Sequence, residues 1–168
     1  MNNSIARNVF RFILLVVLQV AIFNHINFLG FINPYPYVLF ILLFPIGDNK
    51  AALISFSFLI GITLDMFSNS GGMHAAASLV MAYSRPWILG SVFGVAYEYN
   101  SVKVINTSFV ERFTYFAILI VIHHFVLFLL ESFNFSDIIY ILKKTLLSGI
   151  FTLILSLIFV TLFSVKRK

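Results

Sequence analysis

Charged residues in this chain are gathered into short intervals, and long apolar runs fill the space between them. The cleanest runs are residues 113–130 and 145–165. A helix that crosses a membrane takes about 20 apolar residues, with a range of about 17–25, so either run is long enough by itself. Residues 12–28, 51–67 and 74–93 are of similar length, and residues 37–46 form a shorter sixth run. Composition closes off the soluble alternative. Of 168 residues, 61% are hydrophobic and only 10% charged, whereas soluble domains have about 45–50% apolar and about 25% charged residues. The expected architecture is therefore an all-α integral membrane protein. It forms a single domain over residues 1–168, a bundle of about six transmembrane helices.

Three of the runs are irregular. The first follows Arg7 and Arg11, like a signal peptide, but Phe23, Asn24 and His25 end it without an A-x-A-like cleavage site. It reads as an uncleaved first span. The next segment, NPYPY, has two prolines that break a helix and two tyrosines suited to the headgroup layer. The run from 37 to 46 then closes at Pro45 and GDNK, so it has to be a short, tilted or partly re-entrant span. In the fourth run, Arg85-Pro86 interrupts after about a dozen residues, and a residue before proline is steered away from the α region. The preferred reading stops the helix at Arg85, with residues 87–96 along the interface and Arg85 and Trp87 as anchors. In the alternative, a kinked helix carries Arg85 into the bundle on the face of His74. A polar connector, residues 96–112, separates these four runs from the last two.

The net charge of +5 is distributed over the ends of the apolar runs. Nucleic-acid binding requires a contiguous cationic surface with stacking residues, which is lacking here. With no cysteine, disulfides and thiolate metal sites are excluded. Under six spans, Arg7, Arg11, Lys50, Arg85, Lys103, Arg112 and the basic tail at 166–168 share one side, against Lys143 and Lys144 on the other. The positive-inside rule then puts both termini in the cytoplasm.

Residues 61–81, GITLDMFSNSGGMHAAASLVM, hold the most informative polar groups. An ionisable side chain within a bilayer costs about 2.5–3.5 kcal/mol on insertion scales, so Asp65 and His74 are expected to face protein or a wet cavity. Ser57, Gly61 and Asp65 recur every four residues and share a helix face, as do His74, Ser78 and Ala82. The turn between them makes the two helices antiparallel neighbours, with Asp65 and His74 near one outer mouth. A hydrogen bond between these two side chains is the expectation. Small residues at Ser57, Gly61, Ala75 and Ala76 offer a face on which a partner helix can dock. His123 and His124 lie mid-way along the fifth run, with Glu131 on the face of His124. Interhelical hydrogen bonding is the plain role for this histidine pair. No metal or cofactor is expected, because neither H-x-x-x-H nor H-E-x-x-H occurs. Asp48 and Asp137 fall in loops, so paired intramembrane aspartates are absent, and no serine sits in a nucleophile motif.

The order of these features resembles the MreD family, the small membrane subunit of the bacterial rod-shape machinery. The resemblance covers the whole layout: a basic start, the Pro-led short run NPYPYVLFILLFP, and Gly61 and Asp65 closing the third span. SNSGGMHA then leads into the fourth, and HHFVLFLLE at 123–131 is similar to the back half of some members. The resemblance implies a non-enzymatic scaffold in the bacterial inner membrane and a fold similar to the substrate-binding subunits of energy-coupling-factor transporters. It also implies an MreC-like single-span partner, with MreB, RodA and a penicillin-binding transpeptidase nearby, in side-wall peptidoglycan synthesis. Gly61, Asp65, Gly72 and His74 carry over as functional positions, although Ser70-Gly71-Gly72-Met73 departs from the leucine more usual near the turn. Two further readings stand beside it. One is a small-solute or lipid-binding transporter subunit that uses the outward polar cavity. The other is an intramembrane enzyme, against which the missing motifs weigh.

Overall fold

The computed structural model describes residues 2–30, 32–46, 49–98, 102–133 and 137–164, and among them every regular element is helical. Five helices are long: α1 (Asn2–Ala21), α3 (Lys50–Ser68), α4 (Met73–Phe93), α6 (Phe109–Ser132) and α7 (Ile138–Ser164). Two are single turns, α2 (Leu39–Leu42) and α5 (Val95–Glu98). Among the described residues, four stretches are long and apolar enough to cross a membrane: Asn8–His25, Lys50–Ser68, Phe109–Ser132 and Ile138–Leu162. The chain is a multi-pass membrane protein. Asp48 and the basic tail at 166–168 lie outside the described residues.

α4 is the centre of the bundle, packed on α3 on one side and α6 on the other, with α7 against α6 and α1 at the edge beside α3. Local chemistry sets the helix ends. The Asn49 side chain accepts from the Ala51 N–H to start α3. Ser108 and Glu111 form a reciprocal capping box at the start of α6. Asn69, at φ 52°, ends α3 in the left-handed conformation that asparagine tolerates better than most residues. Thr145, Ser148, Thr152 and Ser156 are buried at helical spacing on α7, where small side chains allow close approach to α6.

Several boundaries differ from those read in the sequence. The first helix ends at Ala21, and a 3-10 turn (Phe23–His25) takes up the polar residues that follow. The fifth and sixth runs extend to Phe109–Ser132 and Ile138–Ser164. The short second run is a 3-10 turn (Pro36–Val38) followed by α2, and its side chains at Tyr37, Val38, Ile41 and Leu42 have no exposed surface. Tyr37, read as a headgroup residue, is fully buried, and Tyr35 is half-buried at the lining of a polar cavity. The two rings pack edge-on to each other, and both lie against His74. The largest correction concerns Arg85-Pro86. α4 runs unbroken through Pro86, Arg85 is buried, and Trp87 lies on the exposed face of the same helix. Proline is tolerated within a membrane helix when surrounding groups satisfy the freed backbone. Arg85 is held by the protein instead of anchoring to the interface.

Candidate functional site

The α3–α4 junction is built from backbone contact upward. A Cβ placed on Gly61 would lie 2.5 Å from the Ala75 Cα and 2.6 Å from the His74 carbonyl oxygen. Only glycine lets the two helices meet backbone to backbone at this point. One turn further along α3, Asp65 faces the first turn of α4. Its Oδ1 accepts from the His74 N–H at 3.0 Å and its Oδ2 from the Ala75 N–H at 2.9 Å, and the Ser70 hydroxyl also donates to Oδ1. The residue that would ordinarily cap α4 is Gly72, at φ 94° and without a side chain to offer. Asp65 supplies the cap from the preceding helix, placing a carboxylate where unsatisfied N–H groups and the helix dipole favour negative charge.

This arrangement revises two expectations. Asp65 bonds to the backbone of His74 and not to its ring, which turns inward. Ser57, Gly61 and Ala75 are buried in the contact between α3 and α4, so they are not available to a partner; Ala76 is only partly covered. Glu131 is also placed apart from Asp65: it pairs with Lys144 at 2.7 Å on the half-exposed end of α6.

Behind the junction a chain of polar groups runs into the bundle. The Tyr37 hydroxyl lies 3.2 Å from His74 Nδ1 and 2.6 Å from His123 Nε2. It has one proton, so it donates to one ring and accepts from the other. His124 Nδ1 donates to the Ile120 carbonyl at 2.9 Å, and its Nε2 lies 3.0 Å from Thr152 Oγ1. That threonine oxygen also accepts from the Tyr35 N–H at 2.9 Å and lies 2.8 Å from the Ser148 carbonyl. With Nδ1 protonated, a neutral His124 accepts at Nε2, so the ring and the Ser148 carbonyl compete for the single Thr152 proton. His123 and His124 therefore fasten α6 to the buried second segment and to α7.

Further along α4, past its middle, Arg85 organises a second centre. Its Nε donates to the Tyr115 hydroxyl at 2.7 Å and its Nη2 to the Phe44 carbonyl, with the Leu42 carbonyl at 3.4 Å. Tyr115 in turn donates to the Leu42 carbonyl at 3.1 Å. These are carbonyls at the end of α2, which a single-turn helix leaves without partners.

Above His74 lies a polar cavity of about 460 Å³, lined among others by Asn24, Asn33, Tyr35, Ser70, His74 and Glu131. Among the described residues no three His, Asp or Glu side chains converge on a metal position. The buried Ser57, Ser148 and Ser156 hydroxyls meet no hydrogen-bond partner. Tyr37, Arg85, Tyr115 and Thr152 were not singled out as site residues in the sequence, because their partners lie on distant segments. The only hint was that Arg85 follows His74 on one helical face. No protein-family model matches the chain, and no curated protein or solved structure matches it either.

Proposed function

We propose that the chain is a non-enzymatic membrane scaffold of the MreD type, which holds an MreC-like single-span protein in the cell-wall elongation machinery. Under this reading it lies in a bacterial inner membrane with both termini cytoplasmic, near MreB, RodA and a penicillin-binding transpeptidase. Its bundle follows the layout of energy-coupling-factor substrate-binding subunits. The observation that carries the reading is the outward face of α4. Val80, Tyr83, Ser84, Trp87 and Ser91 follow one another at helical spacing, with Tyr83 64% and Trp87 68% exposed. The Ser84 and Ser91 hydroxyls bond back to the Val80 and Trp87 carbonyls at 2.8 and 2.9 Å. They therefore behave as small residues, which favours close helix packing, while Tyr and Trp supply large contact area. The interior tyrosines, histidines and Arg85 support the same reading, since they bond to one another, to Thr152 and to backbone carbonyls.

The test is co-purification with a single-span, coiled-coil partner. Wild type retains the partner, whereas Ser84→Leu and Trp87→Ala lose it and remain monodisperse in detergent. Undiminished recovery with both variants overturns the α4 face. The polar cavity over His74 favours a second reading, a small-solute or lipid-binding transporter subunit. A bound vitamin or lipid in that cavity, with no partner protein recovered, would select it.

A further inference from the structure

At the basic end of the bundle a groove of about 380 Å³ opens between α1, α2 and α7. Its walls are Leu14, Leu15 and Leu18 of α1, Phe40 and its neighbours from the second segment, and Phe159 of α7. The polar groups in its lining are at one end only, Asn8 and Arg11, and the lining includes no acidic side chain. Ile105, also in the lining, takes a hydrogen bond on its carbonyl from Arg112 Nη1 at 3.0 Å.

Depth and charge together identify an occupant. Asn8 and Leu18 are ten residues apart on α1, about 15 Å at 1.5 Å per residue. That is half of a hydrocarbon core of about 30 Å, the depth of one leaflet. A slot one leaflet deep, apolar along its length and cationic at the headgroup level, matches a single acyl chain under a phosphate. A partner helix would cross both leaflets, and a free anion would leave the apolar length unused. A guanidinium has five donors in a planar fork suited to phosphate oxygens, so Arg11 can take a phosphate in addition to its contacts within the chain.

We propose that this groove binds one acyl chain of an anionic phospholipid, with the phosphate held at Arg11 and Asn8. The site is separate from the α4 face and does not depend on the identity of any protein partner. One basic residue at a membrane surface favours an anionic lipid by about fivefold. That sets the size of the expected preference.

The experiment uses the full chain purified in a neutral detergent, titrated with phosphatidylglycerol, phosphatidylcholine or inorganic phosphate. Bound lipid is counted by native mass spectrometry, and the melting temperature is followed in parallel. Phosphatidylglycerol is expected to bind about fivefold more tightly than phosphatidylcholine and to raise the melting temperature, while inorganic phosphate does neither. Arg11→Gln should reduce phosphatidylglycerol to the level of phosphatidylcholine. Leu14→Trp, which fills the slot from a wall position, should remove both. Equal binding of the two lipids to wild type overturns the proposal without recourse to any variant. So does a stabilisation by phosphate alone, or a dimer in lipid-free detergent that Leu14→Trp dissociates.

Discussion

Asp65, on α3 against the start of α4, and Arg85, past the middle of α4, pose one physical problem, and the chain solves it in opposite senses. Each is an ionisable side chain, 4% and 3% exposed, within a membrane bundle. Neither has an oppositely charged side chain among its hydrogen bonds. The acid takes the free N–H groups of a helix start, and the base gives to the free carbonyls of a helix end. The difference is one of reach. The partners of Asp65 lie 5 to 10 residues away, across a turn. Those of Arg85 lie 30 to 43 residues away, on two separate segments. A local cap fixes one junction, whereas a long-range clamp fixes the position of a segment with little regular structure of its own.

If that contrast is right, the clamp is the costlier one to remove. Arg85→Leu leaves the Phe44 carbonyl and the Tyr115 hydroxyl short of a donor, at about 1–3 kcal/mol for each buried group. The combined loss in a detergent unfolding titration should be the largest of any single substitution discussed here. A loss no greater than that from Asp65→Ala would break the comparison. Gly61→Ala comes next, at about 1–3 kcal/mol for overpacking. Since the clash is with the backbone of Ala75, Ala75→Gly should not rescue it. Rescue in the same titration would mean that the helices are held apart by side chains.

Asp65→Ala removes a helix cap, worth about 0.5–2 kcal/mol. The His74 ring is not its hydrogen-bond partner, so a double-mutant cycle of Asp65→Ala and His74→Ala should give a coupling at the low end of the about 0.5–3 kcal/mol found between neighbouring residues. A coupling at the high end of that range would restore a side-chain pair. The smallest effect belongs to Glu131→Gln, which breaks the 2.7 Å pair with Lys144 at the half-exposed rim. Such pairs contribute about 0–1 kcal/mol, and thermal melts at low and high salt should bracket that loss.

The same contrast in reach separates what was legible in the sequence from what was not. The spacing of Gly61 and Asp65 put them on one face, and the glycine turn put them opposite the start of the next helix. Both inferences rest on neighbours within a dozen residues. The pairing drawn between Asp65 and His74 failed because sequence offers side chains as partners, whereas the free donors here were backbone N–H groups. Arg85 was read as interfacial for a related reason. Local rules weigh Pro86 as a helix stop, but the groups that make a buried arginine tolerable come from Leu42, Phe44 and Tyr115. Tyr37, fully buried, was read as a headgroup residue in the same way. A tyrosine beside proline looks the same from the chain whether its hydroxyl meets water or His123.

The second segment also bears on how the protein is made. A 3-10 turn and a four-residue helix cannot satisfy their own backbone in lipid, so this stretch cannot leave the translocation channel sideways as an independent span. Its walls are translated later. The partners of Tyr37 emerge 37 and 86 residues downstream, on α4 and α6. Residues 36–46 therefore gain their full set of partners only once synthesis has passed His123. A chain that ends before that point holds a buried-type apolar segment without the groups that satisfy it.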